Sequence, residues 1–332
     1  MHQVFPKIEL HCHLDGSLRP ETIMDLAKQY QIVHPHKNME SLTQALVAPS
    51  DCDSLDTYLE RFVLPIQILQ YRETLTRAAY EVMEDVAKEN VKYIEIRFAP
   101  QLHVQKGLKL DEIIQSVIDG IRLAEVNYEI RGNVILSYLR NTAVSGLYDV
   151  IEAGRAYLDK GVVAVDLCGG ERDRFAERFK APILYAKELG YHVTIHAGET
   201  GISQNIMDAI NLLKAERIGH GVAMINDPEV FKYVYENGIA VECCPTSNVQ
   251  TKAVRHIVEH PIDLFYKRGI VLSVNTDNRT VSNTSMSDEF EMLATQFNWE
   301  KAHWNRLYEM GIEASFANQE TKNWLKKIIK NK

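Results

Sequence analysis

Eight short apolar segments rich in β-branched residues recur along the chain, and segments with helical periodicity separate them. These strand-like segments are Ile8–Cys12, Tyr93–Phe98, Val134–Leu139, Val162–Cys168, His192–Ile195, Arg217–Gly219, Ala240–Cys243 and Ile270–Val274. Continuously apolar strands that alternate with helices are typical of a parallel sheet whose outer face is covered. Eight such units in 332 residues predict an α/β fold, the closed (β/α)8 TIM barrel, because that fold needs about 250 residues and tolerates insertions.

The remaining length is concentrated between the first and second strand segments, in an insertion of about 80 residues that exceeds a normal connection. Apolar residues recur there at helical spacing within "SLDTYLERFVLPIQILQ", namely at Leu55, Tyr58, Leu59 and Phe62. Asp53 or Ser54 is placed to cap this helix. We expect residues 1–332 to form one domain, with a helical insertion at about 17–90 covering the site. An open doubly wound sheet is the alternative, but no glycine-rich phosphate loop follows any strand segment.

Charge and cysteine content argue against several classes of protein. The net charge of −8 disfavours a nucleic-acid-binding surface, which needs clustered positive charge. No apolar stretch approaches the length of about 20 residues that spans a bilayer, and the patterning that begins at Lys7 leaves no room for a secretory signal. The five cysteines contain no C-x-x-C pair. We expect a cytoplasmic protein without nucleic-acid or membrane partners, whose oligomeric state the sequence leaves open.

Side chains suited to metal binding or proton transfer follow four of the strand segments. They are His11 and His13 in "ELHCHLDGS", His196 and Glu199 in "TIHAGET", His220 in "RIGHG", and Asp277 and Asn278 in "NTDN". The carboxyl ends of the strands meet at one mouth of a barrel, and alternate residues such as His11 and His13 share a face of their strand. The sequence therefore predicts that these groups converge at the mouth.

Three histidines and an aspartate form a mixed nitrogen and oxygen ligand set that suits catalytic zinc, which lowers the pKa of water from about 15.7 to about 7. Each residue also has a structural explanation: a strand histidine can be a core residue, Glu199 can begin a helix, and Asp277 can cap one. Their joint placement at strand ends favours the metal site. Histidines elsewhere are interpreted as structural or surface residues, namely His34, His36, His103, His256, His260 and His303.

Five motifs in this order, "ELHCHLDGS", "DLCGGE", "TIHAGET", "RIGHG" and "NTDN", resemble the signature of the adenosine deaminase family in the amidohydrolase superfamily. The resemblance extends from Lys7 to about Phe290 and includes "YIEIRFAPQLH" and the insertion helix. It implies hydrolytic deamination of adenosine, and of 2′-deoxyadenosine, to inosine and ammonia through attack of zinc hydroxide at purine C6. The implied partners are a small purine nucleoside and water.

The resemblance also implies roles for individual residues. The positions that match the zinc ligands are His11, His13, His196 and Asp277. Glu199 matches the acid that protonates purine N1, and His220 matches the histidine that orients and deprotonates the metal-bound water. The implied substrate contacts are His13, Asp15 at the ribose 5′-hydroxyl, the Gly169 N–H at N3, and Asn278 at N7. The implied hydrophobic gate consists of Leu55, Tyr58, Leu59 and Phe62.

Departures from related patterns refine these expectations. Many family members carry aspartate where this chain has Asn278, and an amide donates a hydrogen bond without needing protonation. Two-metal relatives use a lysine on the fourth strand, which Val162–Cys168 lacks, so we expect one Zn²⁺ per chain. The zinc deaminases that act on cytosine use H-x-E with P-C-x-x-C, which "TIHAGET" and "ECCPTSN" do not match. Thr246–Asn248 is interpreted as a turn at the end of a strand.

Two other functions stay open at the level of sequence. The chain could deaminate free adenine, a nucleotide or another 6-aminopurine. Asp15 would repel a 5′-phosphate, but Arg279 lies close enough in sequence to the motifs to bind one. Alternatively the chain could be a catalytically silent nucleoside-binding protein; Glu199 and His220 argue against this, since binding alone needs neither.

Overall fold

The computed structural model describes residues 5–49 and 51–330 and contains eight parallel strands in sequential order, β1 to β8. The strands are β1 Lys7–His13, β2 Val91–Phe98, β3 Arg131–Leu139, β4 Val162–Cys168, β5 His192–Ala197, β6 Arg217–His220, β7 Ala240–Cys243 and β8 Leu272–Val274. A bridge between Cys12 and Asp277 joins β1 to the end of β8, so the barrel closes. The predicted (β/α)8 barrel is confirmed, with each predicted strand present.

Helices follow the strands and cover the outside of the barrel. In chain order they are α1 Pro20–Gln29, α2 Met39–Leu46, α3 Leu55–Leu59, α4 Val63–Ile68, α5 Arg72–Lys88, α6 Leu110–Asn127, α7 Ser145–Arg155, α8 Phe175–Glu188, α9 Gln204–Leu213, α10 Pro228–Glu236, α11 Pro245–Gln250, α12 Ile262–Lys267, α13 Met286–Phe297, α14 Lys301–Ala314 and α15 Gln319–Lys330. None of the helices in the described residues is long and apolar enough to cross a membrane.

The insertion between β1 and β2 contains α1 to α5. The helical pattern that starts at Leu55 is interrupted: a 3₁₀ turn over Glu60–Phe62 separates α3 from α4. Pro65 gives the physical reason, because it lacks an N–H for a continuous helix and fits only in the first turn of a new one. Ser54, one of the two predicted caps, accepts a hydrogen bond from the Thr57 N–H at 3.3 Å.

Part of the buried interior of the barrel is charged rather than apolar. Five residues there are at most 1% exposed, and we call them the charged floor: Glu95, Arg97, Asp166, Arg217 and Glu242. Arg97 contacts Glu242 at 2.6 Å and Asp166 at 3.3 Å, and Arg217 contacts Glu242 at 2.7 Å and also pairs with Glu95. Each buried charge therefore has an opposite partner within the barrel.

Candidate active site

A cavity of about 270 Å³ opens at the carboxyl ends of the strands. Its wall includes twelve of the thirteen predicted site residues: His13, Asp15, Leu55, Tyr58, Leu59, Phe62, Gly169, His196, Glu199, His220, Asp277 and Asn278. The remaining one, His11, is fully buried beside them. No Lys or Arg belongs to the wall within the described part of the chain. The cavity thus combines acidic, imidazole and apolar groups without a cationic side chain.

Four of these side chains place their ligand atoms close together, and we call them the mouth cluster: His11, His13, His196 and Asp277. Asp277 Oδ1 lies 3.2 Å from His11 Nε2 and 3.4 Å from His13 Nε2. His13 Nε2 lies 3.2 Å from His196 Nε2. The cluster brings together residues from β1, β5 and the end of β8, as the sequence predicted.

The charged floor fixes the orientation of two imidazoles in the mouth cluster. His11 Nδ1 donates to Glu242 at 2.8 Å, and His196 Nδ1 donates to Asp166 at 2.9 Å. Burial disfavours the charge on Glu242, but Arg97 and Arg217 hold the pKa of this carboxyl well below its usual value. Because a carboxylate accepts the Nδ1–H of each ring, Nε2 is the nitrogen that each ring presents to the cavity.

The donor set fits a tetrahedral metal ion. His11 Nε2 is buried and lies 3.2 Å from Asp277 Oδ1, an arrangement that suits two ligands of one cation. Ligands bound to zinc at 2.0–2.1 Å in a tetrahedron are separated by about 3.3 Å, close to the separations in the mouth cluster. His220 also has a ligand atom within 4.8 Å of His11, His196 and Asp277, but the short contacts of His13 favour His13 as the fourth ligand.

His220 and Asp277 share an unusual backbone conformation. Their φ angles are +64° and +61°, in the left-handed region that residues other than glycine seldom adopt and that costs about 1–3 kcal/mol. Two backbone hydrogen bonds hold Asp277 in place: its N–H donates to His11 O at 3.0 Å, and its carbonyl accepts from the His13 N–H at 2.7 Å. In this backbone conformation both side chains line the cavity.

Glu199 is buried in the cavity wall and lies 3.7 Å from His220 Nε2. Burial, with further contributions from Asp277 and Glu171, raises the pKa of Glu199 to about 8. The side chain is therefore a carboxylic acid at neutral pH, which allows it to donate a proton.

The turn that carries Glu199 is held by Glu171, whose position in "DLCGGE" gave no indication of this role. The Glu171 carboxylate accepts from the backbone N–H groups of Gly198, Glu199 and Thr200 at 2.8–2.9 Å. It also accepts from Asn205 Nδ2 at 2.9 Å. Successive backbone N–H groups that converge on one anion form a nest. This nest fixes the backbone from which the Glu199 side chain extends.

Residues 246–248 do not form a simple turn, and that prediction was wrong, because Pro245 starts α11 there. The helix presents two side chains to the site. Ser247 Oγ donates to Asp277 Oδ2 at 2.6 Å, and Asn248 Nδ2 lies 3.0 Å from His220 Nδ1. Asn248 Oδ1 lies 3.1 Å from His260 Nε2. All three contacts depend on tertiary packing, and no pattern in the sequence indicates them.

Asp15 and Asn278 extend the polar wall beyond the mouth cluster. Asp15 is 6% exposed and its Oδ1 has no hydrogen-bond partner in the protein; burial raises the pKa of this carboxyl to about 6. Gly16 leaves room for the Asn278 carboxamide, since a Cβ at Gly16 would lie 1.9 Å from Asn278 Oδ1. Both side chains are thus available to a ligand in the cavity.

The predicted gate residues form one wall of the cavity. Tyr58 and Phe62 pack with Val281, Ala48 and Cys52 in an apolar cluster separate from the main core. The buried Tyr58 hydroxyl lies 2.7 Å from Ser282 Oγ. The insertion is therefore attached to the loop that follows Asn278 by packing and by a hydrogen bond.

Arg279, considered above for phosphate binding, is not part of the cavity wall. It pairs with Glu89, and Glu89 also accepts from the Ser287 N–H at 2.9 Å. This ion pair gives the Arg279 guanidinium a carboxylate partner outside the cavity.

The family model for adenosine deaminase matches residues 6–332. The chain belongs to the adenosine deaminase family. Relatives named adenosine deaminase from Shewanella woodyi and Clostridium perfringens are 47% identical over 327 residues and 50% identical over 324 residues. These alignments cover 98% of this chain and 99% and 98% of the relatives.

Solved structures with this fold include other deaminases. An adenine deaminase from Arthrobacter aurescens superposes with a TM-score of 0.91 at 26% identity, over 97% of both chains. An N6-methyl-AMP deaminase from Arabidopsis thaliana superposes with a TM-score of 0.87 at 29% identity, over 99% of this chain and 97% of that chain. Both are less similar in sequence to this adenosine deaminase family member than the relatives named adenosine deaminase.

Proposed function

We propose that the chain catalyses hydrolytic deamination of adenosine, and of 2′-deoxyadenosine, to inosine and ammonia. The observation that carries the proposal is the convergence of a protonated Glu199, His220 and the mouth cluster on one cavity that lacks cationic side chains. Family membership and the relatives at 47% and 50% identity support the same reaction.

In this proposal a single zinc ion is held by His11, His13, His196 and Asp277. When bound, zinc would lower the pKa of water to about 7 and so supply the nucleophile at neutral pH. Glu242 and Asp166 accept hydrogen bonds from Nδ1 of His11 and His196 and so direct Nε2 of each ring towards the metal. Ser247 donates to the outer oxygen of Asp277, leaving Oδ1 as the ligand atom.

The other residues of the site bind the purine and move the proton. Glu199 donates its proton to purine N1, which relieves the negative charge that addition at C6 places on the ring. The Gly169 N–H faces N3 and the Asn278 amide donates to N7. Asp15 accepts a hydrogen bond from the ribose 5′-hydroxyl, and His220 and His13 face the reacting carbon.

The insertion residues Leu55, Tyr58, Leu59 and Phe62 form an apolar lid in this proposal. They line the cavity and belong to a cluster that packs apart from the main core. A segment attached by few contacts can open without disturbing the barrel. The lid excludes water from the purine when it is closed.

Deamination of free adenine or of a nucleotide is the alternative, and the wall of the cavity argues against a phosphate. A phosphate needs cationic or N–H donors, whereas the wall has Asp15 and no Lys or Arg in the described residues. Adenosine, 2′-deoxyadenosine, adenine and AMP should be compared as substrates by ammonia release. We expect release from the two nucleosides, loss on chelation and recovery with Zn²⁺; turnover confined to adenine or AMP would contradict the proposal.

A further inference from the structure

A buried chain of hydrogen bonds connects the backbone of α12 to His220. It starts at the Ile262 N–H, which donates to His260 Nδ1 at 3.1 Å. His260 Nε2 lies 3.1 Å from Asn248 Oδ1, and Asn248 Nδ2 lies 3.0 Å from His220 Nδ1. All three side chains are at most 3% exposed, so these contacts are their means of satisfying polar atoms.

The direction of every hydrogen bond in the chain follows from the backbone N–H at its start. An amide N–H can only donate, so His260 Nδ1 must be the acceptor and Nε2 must carry the proton of the neutral ring. Burial lowers the pKa of His260 to about 3, which keeps the ring neutral. His260 Nε2 then donates to Asn248, whose facing atom must be the carbonyl oxygen.

The same reasoning continues to His220. With its oxygen towards His260, Asn248 presents its NH₂ group to His220 Nδ1, which must accept. His220 is therefore the neutral tautomer with a proton on Nε2, and burial lowers the pKa of His220 well below its usual value. The Nε2–H points towards Glu199 Oε2, 3.7 Å away, and the cavity.

We propose that Asn248 and His260 are positioning residues that fix His220 as a hydrogen-bond donor, so that His220 stabilises the attacking hydroxide and is not the base that forms it. The proton lost when water becomes hydroxide would pass to solvent before attack, because zinc held by the mouth cluster would lower the pKa of that water to about 7. The inference rests on the proposed function and changes the role that the resemblance implies for His220. A nitrogen that already carries a proton cannot act as a base, whereas its N–H stabilises negative charge that develops on oxygen.

The tautomer can be measured independently of activity. Long-range ¹H–¹⁵N correlation spectra of the zinc-loaded protein with ¹⁵N-labelled histidine distinguish protonated from unprotonated ring nitrogens, and His220→Gln assigns the signals. We expect His220 to show a protonated Nε2 and an unprotonated Nδ1. The reverse pattern, or a doubly protonated ring, would overturn the proposal whether or not adenosine is the substrate.

Substitution of Asn248 tests the consequence for catalysis. Asn248→Asp presents only acceptors, so it moves the His220 proton to Nδ1 and turns Nε2 into an acceptor, while Asn248→Leu removes the contact without choosing a tautomer. We expect kcat to fall by about 10²-fold in Asn248→Asp, as for loss of a donor to a developing oxyanion. In Asn248→Leu we expect a loss of about tenfold or less, because part of the population keeps the Nε2–H.

Which of the two variants has the lower kcat decides whether His220 acts as a donor or as a base. If His220 were a base, the carboxylate of Asn248→Asp would activate it as in a catalytic triad, and this variant would equal or exceed Asn248→Leu. We expect KM and zinc content to stay near those of the wild type in both variants, which separates this effect from general disruption. Should Asn248→Asp fail to fold, the spectrum of the wild-type protein still decides the tautomer. Absence of ammonia release by the wild-type protein would count against the proposed function alone.

Discussion

Inside one barrel, the charged floor pairs each guanidinium with carboxylates, whereas the mouth cluster directs its imidazole Nε2 atoms and a carboxylate oxygen towards one another. The floor is at most 1% exposed, and in the mouth cluster only His13 is partly exposed, with 13% of its side chain accessible. The charged side chains of the floor form ion pairs with one another, so their role is structural. The floor orients the imidazoles of the mouth cluster through the contacts of His11 with Glu242 and of His196 with Asp166. The ligand atoms of the mouth cluster can therefore bind a cation. The floor therefore contributes mainly to the stability of the barrel, and the mouth cluster supplies the groups that can take part in chemistry.

The largest expected effect concerns the mouth. Glu199→Gln should lower kcat by about 10³-fold, because the amide cannot donate a proton to N1. In the folded protein Glu199 is uncharged at neutral pH, since its pKa is about 8, whereas in the unfolded chain it is ionised. The amide avoids this difference, so the free energy of unfolding at neutral pH should rise and the zinc content should stay unchanged. Steady-state kinetics, denaturant unfolding and metal analysis check this. A variant with the wild-type kcat would exclude Glu199 as the acid.

A substitution in the floor should affect stability and metal affinity together. Glu242→Gln removes the charge that faces His11, Arg97 and Arg217. Breaking a buried ion pair costs about 3–5 kcal/mol, and losing the partner of a ligating histidine weakens metal binding about 10–100-fold. Denaturant unfolding and competition with a chelator measure the two effects.

The matched control for the floor is Glu236→Gln, an exposed carboxylate that lies 3.7 Å from Lys232 Nζ. Because solvent screens this pair, we expect a change of about 1 kcal/mol or less. Equal destabilisation by the two substitutions would contradict the distinction between floor and surface.

The pH dependence should differ between the two regions. With the pKa of Glu199 raised to about 8, kcat should fall about tenfold per pH unit as the pH rises beyond 8, because the acid form disappears. The folded protein binds this proton more tightly than the unfolded chain, so Glu199 also reduces the free energy of unfolding as pH rises from about 4.5 to about 8.

Glu242 in the floor has a lowered pKa, so its contribution to stability is present above about 4.5 and is lost as pH falls below it. Profiles of kcat and of unfolding against pH measure these trends. A kcat that stays constant to pH 10 would contradict the role of Glu199.

The smallest expected effect is at the lid. Tyr58→Phe removes the buried hydrogen bond to Ser282, which costs about 1–2 kcal/mol when one partner is left unpaired. We expect faster amide exchange across residues 52–69 and a rise in KM of about threefold, with kcat little changed. Tyr235→Phe, at a side chain that is 55% exposed, is the control. Unchanged exchange in Tyr58→Phe would show that packing alone holds the lid.

Periodicity and strand-end polarity were sufficient to predict much of this molecule. Eight apolar segments correspond to the eight strands, and the histidines of "ELHCHLDGS" and "TIHAGET" meet Asp277 as predicted. Such features depend on the order of residues along one strand and on the shared direction of parallel strands, which the sequence alone determines.

Tertiary structure decided the contacts that come from connecting segments. Glu171 anchors the turn of Glu199, and Asn248 and His260 set the proton on His220. Glu242 belongs to the same group: an acidic residue in an apolar strand gives no sign of which histidine it will orient. These groups act through hydrogen bonds between residues far apart in the chain, and the direction of a hydrogen bond depends on which atoms packing brings together. The amino-acid sequence determined the barrel and the residues at its mouth, while only packing decided how the protons at that mouth are held.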